Sequence, residues 1–337
     1  MPAAGPHHSF SYHEALIHDL SPDPTLVSIV CLRDEQGMAR AILPLEPARR
    51  RLSRLNVAVW QVPEDPDRST SDVIAGPDVD WAAAAPTLVA CLRRARPRVG
   101  LLALDRVRRG SPAWLLARAI AGTRVVAEGE LHRFRTEQPF DQLLAATSAS
   151  FRKNLRRGWR RLSHEAPVRH EIARQRHEVE DAFERFVELE AAGWKGRERR
   201  GTPLLSRPAV RERFRRALLR LADAGQCEIH LLVQTDACIA ARILILGRNE
   251  IYAAKSTYAE ALSASSPGHL LLERVLFECC ERPSIASLNL GSEAHWSAAW
   301  CPETEPIATA YVPLTGGMLG RTAIGLLAIR GIAAAPD

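Results

Sequence analysis

The sequence predicts an α/β protein with a mixed α+β sheet, built as two similar halves. Three observations predict it. First, 337 residues with 46% hydrophobic and 25% charged content suit two domains, or one large one, with a real core. Second, β-rich runs alternate with runs of helical period along the chain. Third, one order of elements, hairpin then strand, helix and strand, occurs at 25–104 and again at 228–290. The copies share no visible residue identity. A strand–helix–strand unit of this length forms a right-handed parallel crossover, so each half mixes antiparallel and parallel pairing.

Taken in order, residues 1–24 are rich in Pro and His and are expected to be poorly ordered. Residues 25–32 and 39–45 form a hairpin across the turn Asp34-Glu35-Gln36-Gly37. A third strand spans 52–62. Asp80 caps a helix running to about 95. A strand at 99–104, a helix at 112–121 and a long strand at 123–136 complete the first half. From 139 the texture changes. Helices are expected at 140–148, 151–162, 179–194 and 207–224, with a strand at 168–172. A meander of strands follows at 228–234, 239–246 and 250–256. The domains expected are 1–24 as an extension, 25–138, 139–315, and 316–337 as a tail or helix.

Composition bounds the function. The net charge of +6 comes mainly from arginine and fits a phosphate-bearing ligand, an acidic partner or nucleic acid. Seven cysteines form no CxxC pair and no Cys/His metal spacing, which points to a reduced, cytoplasmic compartment. No apolar run reaches the roughly 20 residues of a membrane span. Residues 318–335 come nearest, but Arg321 and Arg330 interrupt them.

The most informative stretch is 266–300. Ser266 suits an N-cap, Pro267 the first helical position, and Gly268 lets a phosphate approach. Leu271, Val275 and Cys279, with Leu272 and Leu276, make a stripe that packs on a sheet. An uncovered helix N-terminus opened by glycine is an anion site. The following strand at 284–290 delivers Glu293 and His295 past its C-terminal end, where α/β sheets bind ligands.

With these residues in view, the chain resembles the GNAT superfamily of N-acyltransferases. More narrowly it resembles the double-GNAT group with a CelD-like (cellulose-biosynthesis-like) acetyltransferase domain, related to Fem-type aminoacyl transferases. The matching pieces are the run from Ser148 to Arg157, Trp194 at a helix end, the meander with Tyr252, the Ser266-Pro267-Gly268 start, and Trp300. The sequence departs from the family pattern at Ser287-Leu288-Asn289-Leu290 and at Trp296-Ser297. The resemblance implies tandem GNAT-like domains, the first degenerate. It implies a donor carrying a pantetheine-phosphate arm, either acyl-CoA or acyl-carrier protein, and direct attack of an amine on the thioester without a metal.

Under that reading Ser266, Pro267, Gly268, His269 and Leu270 bind the cofactor. Arg152, Lys153 and Arg156, in a run without acids, are expected to help. A run of like charges is ordinarily a solvated face, although repulsion at i, i+4 makes an anionic partner worth testing. Glu293 or His295 is the candidate base, because a protonated amine has no lone pair. Tyr258 or Tyr252 is the candidate donor of a proton to the thiolate. Trp194, Lys195, Tyr252, Lys255 and Trp296 are the expected substrate contacts. The alternatives are an aminoacyl-tRNA-dependent transferase and a non-catalytic binder.

Overall fold

The computed structural model describes residues 5–21, 23–52, 55–63, 70–193, 203–291 and 295–314. The described chain divides into two compact units. One comprises Ser21–Leu131 with 305–314, the other 5–20 with His132–Thr304.

The chain opens in the second unit with helix α1 (Phe10–Ala15), capped by Ser9, whose hydroxyl oxygen accepts from the Tyr12 N–H at 3.1 Å. The first unit then begins with an antiparallel meander of β1 (Ser28–Arg33), β2 (Ala39–Leu52) and β3 (Leu55–Gln61). A short β4 (Ile74–Ala75) pairs with β2. Helix α2 (Trp81–Ala95) carries the chain over to β5 (Leu101–Arg108), which runs parallel to β3. Asp80 closes the start of α2, its carboxylate accepting from the Ala83 N–H at 3.0 Å. Helix α3 (Pro112–Ala119) and strand β6 (Arg124–Arg135) follow, and β6 passes into the second unit after Leu131.

The second unit continues with α4 (Phe140–Ala145), α5 (Ala149–Glu165), β7 (Val168–Ala173), α6 (Arg176–Ala192) and α7 (Pro208–Asp223). Then come the antiparallel strands β8 (Cys227–Gln234), β9 (Ala237–Leu246) and β10 (Glu250–Tyr258). Helix α8 (Pro267–Cys280) crosses to β11 (Ser287–Asn289), which lies parallel to β10. The strand order in this unit is β6-β11-β10-β9-β8-β7. Its core holds the apolar stripe of α8, with Leu271, Val275 and Cys279, together with Leu155 and Leu162 of α5 and Leu244 and Ile251 of the sheet. A last strand, β12 (Glu303–Pro313), pairs antiparallel with β5 from Ile307 onward.

The repeated order is therefore real. β1-β2-β3-α2-β5 and β8-β9-β10-α8-β11 are the same succession, antiparallel first and parallel at the crossover. The domain limits need correction. Linear order assigns residues 305–313 to the second domain, yet they form the strand beside β5 in the first unit. Composition makes the opening segment loose. Instead Tyr12, Ala15 and Leu16 are buried in the second unit, and Asp19 meets Arg220 of α7 at 2.7 Å. The tail 316–337 lies outside the described residues.

Candidate active site

The start of α8 is an unusual helix cap. Ser266 has φ 52° and ψ 53°, the left-handed region that costs a non-glycine residue energy. Its hydroxyl turns to the Ser263 carbonyl at 3.5 Å, and no side chain caps the first turn. The expected Ser266 cap bond is thus absent. Helix α5 holds this strained start in place. At Gly158 an added Cβ would lie 2.5 Å from the Ser265 carbonyl oxygen and 3.3 Å from Leu270, so only glycine lets α5 approach so closely. Arg161 donates to the Ala264 carbonyl at 2.9 Å, and the Trp159 indole donates to Glu273 at 2.5 Å.

Beside this start lies a cavity of about 470 Å³. Pairing of β10 with β11 covers only Glu250–Tyr252, and the β10–β9 register shifts between Ala253 and Lys255. Past that bulge Ser256 and Thr257 of β10 line the cavity, with Tyr258, Gly268 and His269 at the α8 end. Gly268 packs against Tyr258, where an added Cβ would sit 3.3 Å from the phenol ring. Trp296, which is exposed, forms another wall.

His269 is fixed in one state. The Trp300 indole N–H, which can only donate, reaches His269 Nδ1 at 3.0 Å. Nδ1 is therefore an acceptor and the ring proton sits on Nε2. Burial, and then the Arg242 charge, lower the His269 pKa, so the ring is neutral. Phe151 packs edge-on against both His269 and Trp300. His269, which lines the cavity, consequently has Nε2–H as its one remaining ring donor.

Two charged residues that the sequence pattern does not single out line the same cavity. Glu190 of α6 is 2% exposed, and its carboxylate accepts from the Leu204 N–H at 2.9 Å. Arg242 of β9 is 3% exposed, and burial alone lowers its pKa to about 10, leaving it charged at neutral pH. Both carry a signal in the sequence. Glu190 continues the apolar stripe of Phe183, Phe186 and Val187. Arg242 interrupts the apolar run Ile239–Leu246 of a central strand.

Residues 149–296 match the family model of the acetyltransferase (GNAT) domain. This segment is a GNAT acetyltransferase domain. The chain is therefore an acyltransferase, and its fold agrees. It superposes on FemX with a TM-score of 0.60 at 10% identity, over 90% of this chain and 96% of that one. It also superposes on the C-terminal domain of a protein described as a putative lysylphosphatidylglycerol synthetase from Agrobacterium fabrum. There the TM-score is 0.56 at 14% identity, over 97% and 98% of the two chains. L-PGS from Bacillus licheniformis gives 0.51 at 14%, over 99% and 100%. At such identities the likeness is one of fold. No curated protein matches the chain in sequence.

The GNAT domain gathers some of the expected site residues and scatters others. Ser266, Gly268, His269, Tyr258 and Trp296 line the cavity, and Pro267 is buried in the first turn of α8. Leu270 is fully buried in the core against Gly158, because its position on α8 faces the sheet. Arg152 is engaged elsewhere. Its guanidinium donates to the carbonyls of Leu144, Ala145 and Thr147, closing the end of α4. Lys153 and Arg156 are exposed on α5. Tyr252 is buried beside His7 of the opening segment, with ring centres 6.0 Å apart. Lys255 lies over the Phe214 ring of α7 at 5.6 Å. His295 is exposed and is not a cavity residue. Glu293, Trp194 and Lys195 lie outside the described residues. No group of His, Cys, Asp and Glu suited to a metal ion occurs among the described residues, and no described helix is long and apolar enough to cross a membrane.

Proposed function

We propose that the GNAT domain transfers an acyl group from a phosphopantetheine thioester, carried by CoA or an acyl-carrier protein, to an amine. The observation that carries this reading is the α8 start. A left-handed Ser266 leaves the first turn without a side-chain cap at the edge of a cavity, and a helix N-terminus in that condition favours a phosphate. The thioester arm then lies along Ser256 and Thr257 of β10. The amine nitrogen attacks the thioester carbon, the C–S bond breaks, and the amine loses a proton. Glu190 is the proposed acceptor of that proton, with Glu293 as the competing candidate. Tyr258, packed on Gly268, is the proposed proton donor to the departing thiolate. Neutral His269 supplies an N–H to the polar wall.

Incubating the protein with acetyl-CoA, longer acyl-CoAs or acyl-carrier protein and a panel of amines should release free thiol and yield an amide. Calorimetry with CoA should show binding that Gly268→Val weakens, since the added branch must displace Tyr258 and crowd the helix start. A protein that neither releases thiol nor binds CoA would sink the reading. The resemblance to Fem-type aminoacyl transferases, whose fold the chain shares with FemX, leaves a second reading open, an aminoacyl-tRNA donor. Exposed Lys153, Arg156 and Arg160 on α5 would then meet phosphates, and binding would weaken steeply with salt. Aminoacyl-tRNA belongs in the same donor panel.

A further inference from the structure

Arg242 sits in the middle of β9, opposite His230 on β8 and Ser256 on β10. β9 sends Ala240 and Leu244 into the core under α8, and alternation puts Arg242 on the same face. An arginine buried to this degree is ordinarily paired with a carboxylate or held by several carbonyls. Arg242 is not. Among the described residues none of its nitrogens makes a hydrogen bond or an ion pair, and its Nε is buried without a partner. The group in contact with it is a π face, the Trp296 ring, 5.4 Å from the guanidinium carbon, while the Glu190 carboxylate, which lines the same cavity, forms no ion pair with it. That contact replaces only part of what an ion partner supplies.

The unpaired guanidinium lines the cavity, as does the uncapped end of α8. Both are positive, one as a full charge and one as the pole of a helix dipole. His269 beside them is held neutral, so it adds no further charge. A permanent cation without a partner is costly in a low-dielectric interior, and selection for a stable fold alone would favour an apolar side chain in its place.

We propose that Arg242 is the oxyanion anchor of this cavity: a bound substrate brings a carboxylate or phosphate whose two oxygens become the missing ion partner of the guanidinium. The planar fork of arginine matches such oxygen pairs in a bidentate way that lysine does not. The proposal deepens the acyl-transfer reading and rests on it only for the choice of substrates. The oxyanion has two candidate sources, a carboxylate on the acceptor or a phosphate on the donor.

The test compares the parent protein with Arg242→Met and Arg242→Lys. Two sets of matched compounds are used: acetyl-CoA against acetyl-pantetheine, and the twenty amino acids against their carboxamides. Binding is read by calorimetry and by melting temperature, and turnover by thiol release. The parent should prefer the oxyanion-bearing member of one set by about 10- to 100-fold, equal to about 1.4–2.8 kcal/mol. Arg242→Met should abolish that preference, Arg242→Lys should keep part of it, and without ligand Arg242→Met should melt no lower than the parent. Preference within the donor set assigns the phosphate; preference within the acceptor set assigns the carboxylate. A parent indifferent in both sets, or an Arg242→Met protein that keeps the preference, overturns the proposal. Because binding is measured without turnover, a chain that transfers no acyl group fails the acyl-transfer reading while the role of Arg242 is still decided by the binding preferences.

Discussion

Glu190 continues the apolar stripe of α6, is buried and lines the cavity, a position that fits a proton acceptor. An amine with an ordinary pKa near 10.4 arrives protonated at neutral pH, so a group must take its proton before attack. Replacing Glu190 by Gln keeps the shape and the acceptor for Leu204 while removing the base. Glu190→Gln should therefore lower kcat by about 10²–10⁴ with little change in donor affinity. His295→Ala, at an exposed position, should leave kcat near the parent value. If Glu293→Gln reproduces the loss and Glu190→Gln does not, the base lies in the loop after β11. The sequence held these assignments unevenly. Gly268 stands out in the sequence because Pro-Gly after a meander is a local signal, and the structure sets it on the cavity beside Tyr258. Arg242 and Glu190 were hidden because charges inside apolar runs look like tolerated exceptions until a cavity gives them a reason. Arg152 misled in the opposite sense, since its use as a cap for α4 depends on a turn that spacing alone does not reveal.

Among the elements, α2 and α8 occupy equivalent places in the two halves and begin differently. Asp80 already presents a carboxylate to the first turn of α2, so that end has its anion. The start of α8 has none, and α5 is the element that maintains it. Gly158→Ala puts a Cβ against the Ser265 carbonyl, which is backbone and cannot swing away. It should cost about 1–3 kcal/mol, as overpacking does, and should weaken CoA binding beyond the loss in stability. A Gly158→Ala protein that melts and binds like the parent would show that α5 does not position Ser266. The strands β7 and β8 carry a separate, pH-dependent element. His170 Nε2 lies 3.0 Å from His230 Nδ1, and His230 Nε2 lies 3.1 Å from Glu228. Burial, and then His230, lower the His170 pKa to about 3 from 6.5. Burial alone would raise the Glu228 pKa, but hydrogen bonds from His230, Arg282 and Arg174 outweigh it and hold the carboxyl below its ordinary value. Between pH 6.5 and 3 the unfolded chain takes up a proton at His170 that the folded chain refuses, so stability must fall as pH drops through that window. Below the ordinary carboxylate range Glu228 adds a loss of the same sign. Urea midpoints measured from about pH 8 to about pH 4 should fall, and His170→Phe should flatten the upper part of the slope.

At the scale of the whole molecule, the two-half plan followed from element order, because antiparallel turns and a helical crossover leave local marks. What linear order concealed is that both ends of the described chain belong to the unit opposite to the one they adjoin in sequence. Residues 305–313 complete the first unit because β5 pairs with them, and pairing between strands far apart in sequence has no local signature. The opening segment is the more consequential case. Its Pro and His content reads as loose chain, yet Tyr12 and Leu16 are buried, Asp19 is buried against Arg220, and the Ser9 hydroxyl donates to Gln226 at 3.0 Å. His7 packs near Tyr252, at the base of the strand whose far end lines the cavity. A protein beginning at residue 21 should therefore be damaged in the acyltransferase unit. Losing the burial of Tyr12 and Leu16 alone should cost about 3–6 kcal/mol, at roughly 2–4 °C of melting temperature per kcal/mol for a unit of this size. Hydrogen exchange should locate the added opening in α7, β8 and β10. Restoring the segment as a separate peptide should slow that exchange again, since the contacts are made by side chains and not by chain connectivity. Unchanged melting and unchanged exchange in the shortened protein would mean that the segment rests on a unit already stable without it.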